Sequence, residues 1–500
     1  MNGLLVREIG KEGTFLAILY IVSIVWISPA WAQQSKQPIP SEKLASVLSE
    51  ESMNPRPADG QASDQKRPER LMQPAEPTPL EDLILEKGII TMDDWLRIKA
   101  AEERKALQEQ AELQMAGSPR WYERIRINGY VQTRWAIRSN DSKFDIPLGD
   151  KLATSDPNQF YTRRIRLVLQ GQVSERLSFY FQPAFEGDGQ NMFNKEVIDA
   201  FADYNLTRDR KFRIRLGLQR TPNSFDTYRS SSNRQELDRH ESVQSGAPGE
   251  RDLGASFFWT SKVAQERYAQ LATYHNGPGD YGNFGIMVWN GQTRNKSELN
   301  GDKHVGLRLA HPWELPNGRL VETGMFAYRG IFAVTGLGAL NSTSKDRCAT
   351  QLRSNSGCNV LDERMSWYIW TPPQPWGVLA EFTVGRGPKR NAKGIVEESS
   401  LHGGYVQGYY TWQYSDVGML TPYIRWGEYY GGFKTIEGRD GQSRSWNFGL
   451  VWDPDTHWRF VTELMLKNGL NTNSTYVAFN QAQQDFDGSL VRFQAQWFFN

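Results

Sequence analysis

A period of two runs through residues 160–185 and restricts this stretch to β-structure. Between Phe160 and Val173, apolar residues occupy the odd positions 165, 167, 169 and 173, whereas Thr, Arg and Gln occupy the even positions, with Val168 as the exception. Such alternation gives a strand one apolar and one polar face. A tight turn at residues 174–176 leads into a second strand. Either the polar face meets bulk water above a protein core, or it lines a wet lumen while the apolar face meets lipid.

Composition favours many half-polar strands over a large soluble core. The chain of 500 residues has 39% hydrophobic and 12% aromatic residues, 44 Gly and 17 Trp, and a mean hydropathy of -0.60. A soluble protein of this length would contain more Leu, Ile and Val. The formal net charge of +1 argues against nucleic acid as a partner, because proteins that bind it usually carry a basic excess. Any charge selectivity must therefore be local.

Residues 1–32 are predicted to be a secretory signal peptide. Arg7 and Lys11 precede an apolar run over residues 15–27, and residues 30–32 (Ala-Trp-Ala) supply the small residues of a cleavage site. The run is shorter than the roughly 20 residues that a membrane-spanning helix needs. No later run is apolar and long enough either, so any membrane-spanning part must be a β-barrel.

Residues 33–79 and 80–116 precede the strands and differ from each other in composition. The first segment carries eight of the 24 prolines among polar residues, and it is predicted to be a disordered linker. The second is predicted to be a periplasmic helix with Thr91 as its N-cap. Its apolar residues fit either a coiled coil with other subunits or a solvated amphipathic helix against the same chain. They are Leu83, Trp95, Ile98 and Leu107.

Residues 121–500 are predicted to consist of strands and turns. The period-two rule yields sixteen strands when residues 266–290 count as one strand interrupted at 276–283. Seven short turns alternate with eight longer loops, among them 221–251 and 331–363. This alternation is typical of an outer-membrane barrel with both ends in the periplasm. The predicted fold class is all-β, a 16-stranded antiparallel transmembrane β-barrel behind a short N-terminal helical segment.

Several segments resemble the phosphate-selective porin O and P family. The resemblance covers roughly residues 80–500 and is strongest over residues 160–256. The resemblance implies a trimeric barrel in the bacterial outer membrane, with a loop folded into the pore. It also implies passage of anions and, in some members, a preference for phosphate. The matching segments are Leu85-Glu-Lys-Gly-Ile-Ile-Thr91, Tyr161-Thr-Arg-Arg-Ile-Arg-Leu167, Glu196-Val-Ile-Asp-Ala-Phe-Ala-Asp-Tyr204, Arg215-Leu-Gly-Leu-Gln-Arg-Thr-Pro-Asn-Ser-Phe225 and Glu250-Arg-Asp-Leu-Gly-Ala255.

Arginine is the residue type best suited to an anion path in this chain, because its charge is permanent and its planar fork matches phosphate oxygens. Arginines on the polar faces of strands are predicted to line the path, either selecting an anion or merely keeping the lumen wet. They are Arg124, Arg126, Arg134, Arg138, Arg164, Arg166, Arg213 and Arg215. Arginines in the loop 221–251 and at its start either contact the anion or pair with nearby acids to hold the loop against the wall. The constriction-loop candidates are Arg220, Arg229, Arg234 and Arg239.

Cys348 and Cys358 are predicted to form a disulfide, because they lie close together in a loop of an exported protein. The six histidines form no metal-binding motif, and no metal or other cofactor is expected.

The sequence therefore predicts a porin for passive diffusion of small anions, including phosphate, with outer-membrane lipid around it and two further subunits as partners. A general or organic-acid-preferring porin without phosphate specificity fits the residues as well, since no lysine cluster marks the loop tips. A structural or adhesive barrel with a plugged lumen is a rival of another class. An outer-membrane lipase is disfavoured because no G-x-S-x-G motif is present, and no enzymatic activity is expected.

Overall fold

A computed structural model describes residue 87 and, with short gaps, most of the chain from residue 121. The predicted signal peptide, linker and, apart from Lys87 in a turn, the helical segment lie outside the described residues. The described ranges after residue 87 are 121–139, 158–186, 194–274, 277–335, 348–354, 357–391, 395–414, 416–434, 440–471 and 484–499.

Eighteen strands form one sheet, of which sixteen close a barrel and two, β10 and β14, are short additions. The strands are β1 (Ile125–Arg138), β2 (Asn158–Gln172), β3 (Leu177–Glu186), β4 (Asn194–Asn205), β5 (Phe212–Arg220), β6 (Arg251–Trp259), β7 (Phe284–Trp289), β8 (His304–Glu314), β9 (Leu320–Val334), β10 (Arg353–Ser354), β11 (Gly357–Thr371), β12 (Trp376–Arg390), β13 (Val396–Tyr410), β14 (Trp412–Tyr414), β15 (Gly418–Gly432), β16 (Asp440–Asp453), β17 (Trp458–Asn471) and β18 (Gln484–Phe499).

The barrel closes through its first and last strands. β1 pairs antiparallel with β2 on one side and with β18 on the other, in a register that places Val131 opposite Trp497 and Ile137 opposite Val491. Every other barrel strand pairs antiparallel with its neighbours in sequence order. Closure leaves no edge strand with unpaired backbone groups, which is the condition for strands to cross a bilayer.

The polar faces of the strands turn inward and the apolar faces turn outward. On β1, Gln132 and Arg134 are buried inside, whereas Ile127 is 56% exposed on the outer surface. On β16, Trp446 and Phe448 are likewise exposed outside, while Asn447 between them is buried. The period of two therefore arises from a polar lumen and an apolar exterior. Of the two alternatives that the sequence left open, this is the one in which the apolar face meets lipid.

A register shift between Gln132 and Thr133 interrupts the alternation where β1 pairs with β2. The irregularity lets both Arg163 and Arg164 of β2 turn inward, and both are buried. Strict alternation would place only Arg164 on the polar face, so the sequence prediction missed Arg163.

The prediction of one interrupted strand over residues 266–290 was wrong in its first half. Two short helices, α1 (Phe225–Tyr228) and α2 (Glu241–Gln244), come earlier in the chain. Residues Lys262–Leu271 form a third helix, α3, and only Phe284–Trp289 form a strand. Ser261 caps the helix by accepting a hydrogen bond from the backbone N–H of Ala264. The buried residues Ala264, Tyr268 and Leu271 follow helical spacing rather than a period of two. Good helix formers and a capping serine thus outweigh the weak strand pattern.

The loop predicted over residues 331–363 is shorter than expected because β9 and β11 extend into it. Cys358 lies near the start of β11, and it forms a disulfide with Cys348 at an S–S distance of 2.04 Å. This is the pairing that the sequence predicts. The disulfide packs against a small apolar cluster that includes Phe332, Val360 and Val396.

The described part of the chain contains no helix that is both long and apolar enough to cross a membrane.

Candidate functional site

The connection between β5 and β6, residues 221–250, folds into the barrel and is called the inserted loop below. It contains two short helices, α1 (Phe225–Tyr228) and α2 (Glu241–Gln244), whose residues are all buried. Phe225 stacks on Tyr368 of β11 with ring centroids 4.5 Å apart, within the largest apolar cluster of the described residues. The interior of the barrel is therefore occupied by a folded segment of the same chain.

A wall carboxylate holds the start of α1. Glu381 of β12 accepts hydrogen bonds from Ser224 Oγ at 3.0 Å and from the backbone N–H of Phe225 at 2.9 Å. Tyr405 of β13 donates to the same carboxylate at 3.2 Å. An anionic group at this position satisfies N–H groups that have no partner within the helix. The sequence gives no local signal for this contact, because Ser224 and Glu381 lie far apart in the chain.

Asp238 of the inserted loop joins three wall arginines from three strands. Arg134 Nη1 of β1 donates to Oδ2 at 2.9 Å, Arg163 Nη2 of β2 donates to Oδ1 at 3.1 Å, and Arg492 of β18 also donates to Oδ2. Arg425 of β15 donates to the backbone oxygen of Asp238 at 2.9 Å. The inserted loop is thus tied to four strands through one residue.

The electrostatics of Asp238 follow from these contacts. Burial alone would raise the pKa of the Asp238 carboxyl, but the guanidinium groups of Arg134, Arg492 and Arg163 outweigh burial and hold the pKa well below its usual range. Asp238 is therefore an anion under all physiological conditions.

The same part of the loop bridges the seam where the barrel closes. Gln132 Nε2 of β1 donates to the backbone oxygen of Ser231 at 3.0 Å, and Gln496 Nε2 of β18 donates to that of Ser232 at 2.9 Å. Arg459 of β17 also donates to the Ser232 oxygen at 2.9 Å. These bonds hold residues 231–232 across the β1–β18 pairing.

The far end of the loop is held by β11, β15 and β17. Arg364 of β11 donates to Ser245 Oγ at 2.6 Å and to its backbone oxygen at 3.0 Å, and Lys467 of β17 donates to Glu241 at 2.5 Å. His240 packs so closely on Gly427 of β15 that a Cβ at residue 427 would collide with the imidazole. The loop is therefore fixed against several sides of the wall.

The four candidate arginines of the inserted loop and its start differ in their partners. Arg229 donates to Asp226 and Glu236, and Arg239 to Glu250 and two backbone oxygens. Arg220 donates to the backbone oxygens of α1. Arg234 donates no hydrogen bond to any described residue, and the nearest carboxylate oxygen, on Glu236, lies 3.9 Å away. The pairing acids of Arg229 and Arg239 belong to the loop itself, so these two arginines stabilise its internal structure.

The eight candidate arginines on the strands do not form one continuous group. Arg134, Arg164 and Arg166 face the inserted loop, where Arg164 donates to Gln132 at 2.8 Å. Arg215 makes two bonds to Asp203, at 2.7 and 2.8 Å, and Arg213 donates to the Asp280 backbone oxygen. Arg138 is half-buried near the far end of β1, whereas Arg124 and Arg126 are exposed at its start.

Several charged residues of this interior were missed by the sequence prediction. They share inward positions on later strands, where charged residues alternate with apolar ones, and extending the period-two rule to those strands would have found most of them. They are Arg364, Glu381, Arg425, Arg459, Glu463, Lys467 and Arg492. Among the described residues, no group of three or more His, Cys, Asp and Glu side chains is arranged to hold a metal ion.

A closed antiparallel barrel with an apolar exterior, a charged interior and an inserted loop defines a membrane β-barrel of the porin class. The model of the family described as phosphate-selective porin O and P matches residues 131–499. The chain therefore belongs to this family, and its location is the bacterial outer membrane.

Solved porins resemble the chain at low identity. The Salmonella typhi OmpF complex with Daunomycin is 14% identical over 75% of this chain and 97% of that chain, with a TM-score of 0.45. An anion-selective porin from Comamonas acidovorans is 12% identical over 75% of this chain and 99% of that chain, with a TM-score of 0.43. A search of curated proteins found no match. These similarities do not indicate which ion the protein passes.

Proposed function

We propose that the protein is a passive porin for small anions and that phosphate is among the ions it passes. The supporting observation is a pair of interior arginines, Arg234 of the inserted loop and Arg425 of β15. Both are buried, and neither donates a hydrogen bond to a carboxylate of the described residues. Arg425 uses one nitrogen on the Asp238 backbone oxygen, while its Nε has no partner.

Unfilled guanidinium donors suit transient contact with an anion. A guanidinium keeps its charge at every accessible pH, and a buried donor without a partner gains a hydrogen bond when an anion arrives. Conduction also requires that each site be weak enough to release the ion. Two separate guanidinium groups meet this requirement better than one site with many converging donors.

Seven further arginines divide into two proposed roles. Arg134, Arg163 and Arg492 are proposed to position the loop through Asp238. Arg164 and Arg166, together with Arg124 and Arg126 near the start of β1, are proposed to line the route of the ion. Family membership and fold indicate a channel rather than an enzyme, and assembly as a homotrimer is proposed from the family alone.

Substitution of the two interior arginines tests this function. We expect Arg234→Gln and Arg425→Gln each to lower the anion-to-cation permeability ratio at least about fivefold, because a unit charge about 4 Å from an ion contributes about 1 kcal/mol even in bulk water and more in a buried site. Arg234→Lys should keep most of the selectivity. The measurement is the reversal potential in a planar bilayer under a KCl gradient.

Arg208→Gln, which removes an exposed arginine between β4 and β5, is the matched control and should leave the ratio unchanged. Equal ratios for wild type, Arg234→Gln and Arg425→Gln would refute the proposed role of both residues. Block of the chloride current by added phosphate distinguishes a phosphate-passing porin from the general or organic-acid-preferring alternative.

A further inference from the structure

A band of paired charges runs around part of the outer surface of the barrel, near the end that carries the long loops. It comprises outward-facing residues of β9, β11, β12, β13, β15 and β16 and is called the outer rim. Its register is regular: Glu363 lies opposite Arg329 on β9 and opposite Arg386 on β12, and Glu428 lies opposite Arg444. The rim consists of Arg329, Glu363, Arg386, Glu398, Glu428 and Arg444.

The outer rim marks one edge of the apolar exterior. Trp367, Phe382, Ile424 and Trp446 lie on the same strands, displaced toward the short turns, and all are exposed outside. In an outer-membrane barrel the long loops are extracellular and the apolar band spans the hydrocarbon layer. The rim therefore lies at the level where the hydrocarbon of the outer leaflet gives way to headgroups.

Within the rim, the guanidinium groups are the outermost charges. The side chains of Arg329, Arg386 and Arg444 are 73%, 60% and 59% exposed, whereas their partners Glu363, Glu398 and Glu428 are only 32%, 29% and 21% exposed. Since the carboxylates lie behind the guanidinium groups, the rim presents mainly positive charge to its surroundings.

The ion pairs of the rim also leave arginine donors unused. Arg329 approaches Glu363 only to 3.8 Å and donates no hydrogen bond within the described residues. Arg386 makes one long bond of 3.5 Å to Glu398, and Arg444 donates to Glu428 at 3.3 Å and to Tyr430 at 2.9 Å. Each guanidinium has five N–H donors, so most remain available to an acceptor from outside.

A cleft of about 560 Å³ adjoins the rim at Arg444. Its apolar lining comes from Trp426, Trp446 and Leu466, which all point away from the lumen. Asn468, Ser489 and Asp487 line it toward the long-loop end. The cleft therefore has one apolar wall next to the exposed Arg444 and one polar wall that includes Asp487. An apolar wall beside an exposed arginine matches a molecule with a hydrocarbon chain and an anionic head.

We propose that the outer rim and this cleft bind a membrane lipid with a phosphate headgroup in the outer leaflet. Its phosphate oxygens accept hydrogen bonds from Arg444, and an acyl chain lies against Trp426, Trp446 and Leu466. Arg386 and Arg329, which lie three and five barrel strands away from Arg444, add positive charge to the same outer surface. Guanidinium groups bind phosphate in a bidentate manner, and basic side chains at the membrane interface bind lipid headgroups in this way. This lipid site lies outside the barrel and is independent of the proposed ion path.

Charge and shape favour lipid over other occupants. A second copy that met the rim with its own rim would bring exposed guanidinium groups toward one another, and like charges in contact are costly. In a trimer each subunit uses two different patches for its neighbours, and the rest of its outer surface, to which we assign the rim, faces lipid. Free phosphate would bind the arginines but would make no contact with the apolar wall of the cleft. The lipid satisfies both parts of the surface.

The test compares wild type with the triple variant Arg329→Gln, Arg386→Gln and Arg444→Gln. Diphosphoryl lipid A in detergent micelles is the probe, and its binding to the purified, folded protein is followed by native mass spectrometry and tryptophan fluorescence. We expect at least about a tenfold loss of affinity, because the triple variant lacks the charge-assisted hydrogen bonds from Arg444 to phosphate and the positive charges of Arg329 and Arg386. The matched control replaces three arginines at the short-turn end, Arg176→Gln, Arg208→Gln and Arg319→Gln, and should bind as wild type does.

Two further arms identify the occupant. Lipid A without phosphates should bind wild type no better than it binds the triple variant, and inorganic phosphate at millimolar concentration should not displace the diphosphoryl lipid. Equal binding of the diphosphoryl lipid by wild type and triple variant would overturn the proposal, as would complete displacement by inorganic phosphate. A change of subunit assembly in the triple variant without a change in lipid binding would show the rim to be a subunit interface and would also overturn it. Should the triple variant fail to fold, Arg444→Gln alone provides the same comparison.

Discussion

Asp238 is the residue on which the position of the inserted loop depends most. Its carboxylate accepts hydrogen bonds from arginines of β1, β2 and β18, so the first two strands and the last strand meet at one anion. Removal of one partner from a buried ionic group leaves the others uncompensated, which costs far more than the pair itself contributes. We therefore assign Asp238 a positioning role rather than direct contact with the permeating ion.

Replacement of Asp238 by Asn tests this role at the level of the residue. We expect Asp238→Asn to lower the free energy of unfolding by about 3–5 kcal/mol, measured by denaturant titration with the folded and unfolded bands separated in unheated detergent gels. The pKa of Asp238 is depressed in the fold, so its contribution is complete above the unfolded-state pKa near 3.9 and is lost only as pH falls through the lower folded-state pKa. Asp209→Asn, at an exposed turn, is the control, and equal stability of the two variants would contradict the account.

The arginines show how far single residues were predictable. Alternation placed Arg134, Arg164 and Arg166 on the polar face, and all three are buried inside the barrel. Arg163 escaped prediction because the register shift at Gln132/Thr133 depends on the pairing of β1 with β2. The partners of Arg134 were equally out of reach, since a contact with Asp238 joins residues about a hundred positions apart.

At the level of elements, strands were predictable wherever one face meets lipid, since lipid enforces a strict period of two. The helix α3 was not predicted, because the connection between β6 and β7 lies beyond the strand ends and obeys no such period. The disulfide belongs to the same scale. It joins Cys348 to the start of β11 across a sequence separation of 10 residues. It therefore fixes part of the connection between β9 and β11, which the pairing of the barrel strands does not hold.

Removal of the disulfide should weaken this element and leave conduction intact. We expect the double substitution Cys348→Ser and Cys358→Ser to reduce stability by about 2–3 kcal/mol, because a short closed loop restricts the unfolded chain. A reductant should lower the unfolding temperature of wild type but not that of the double variant. Altered ion selectivity in the double variant would contradict a purely structural role for the disulfide.

For the whole molecule, the sequence predicted the barrel better than its interior. The number of strands and the closure of the barrel were predicted from two local properties of the chain. These are the alternation of apolar and polar residues and the alternation of short and long connections. The inserted loop has mixed charges in sequence, and only the folded barrel shows which of them pair within the loop and which bind the wall. Arg234 and Arg229 are indistinguishable by sequence pattern, yet Arg229 is saturated by two acids and Arg234 is not.

Anion selectivity of the wild-type pore is the central claim, and the reversal potential of the purified protein in a planar bilayer tests it most directly. Under a tenfold KCl gradient, the account predicts a reversal potential that has the sign of the chloride equilibrium potential. A reversal potential with the sign set by potassium would contradict it.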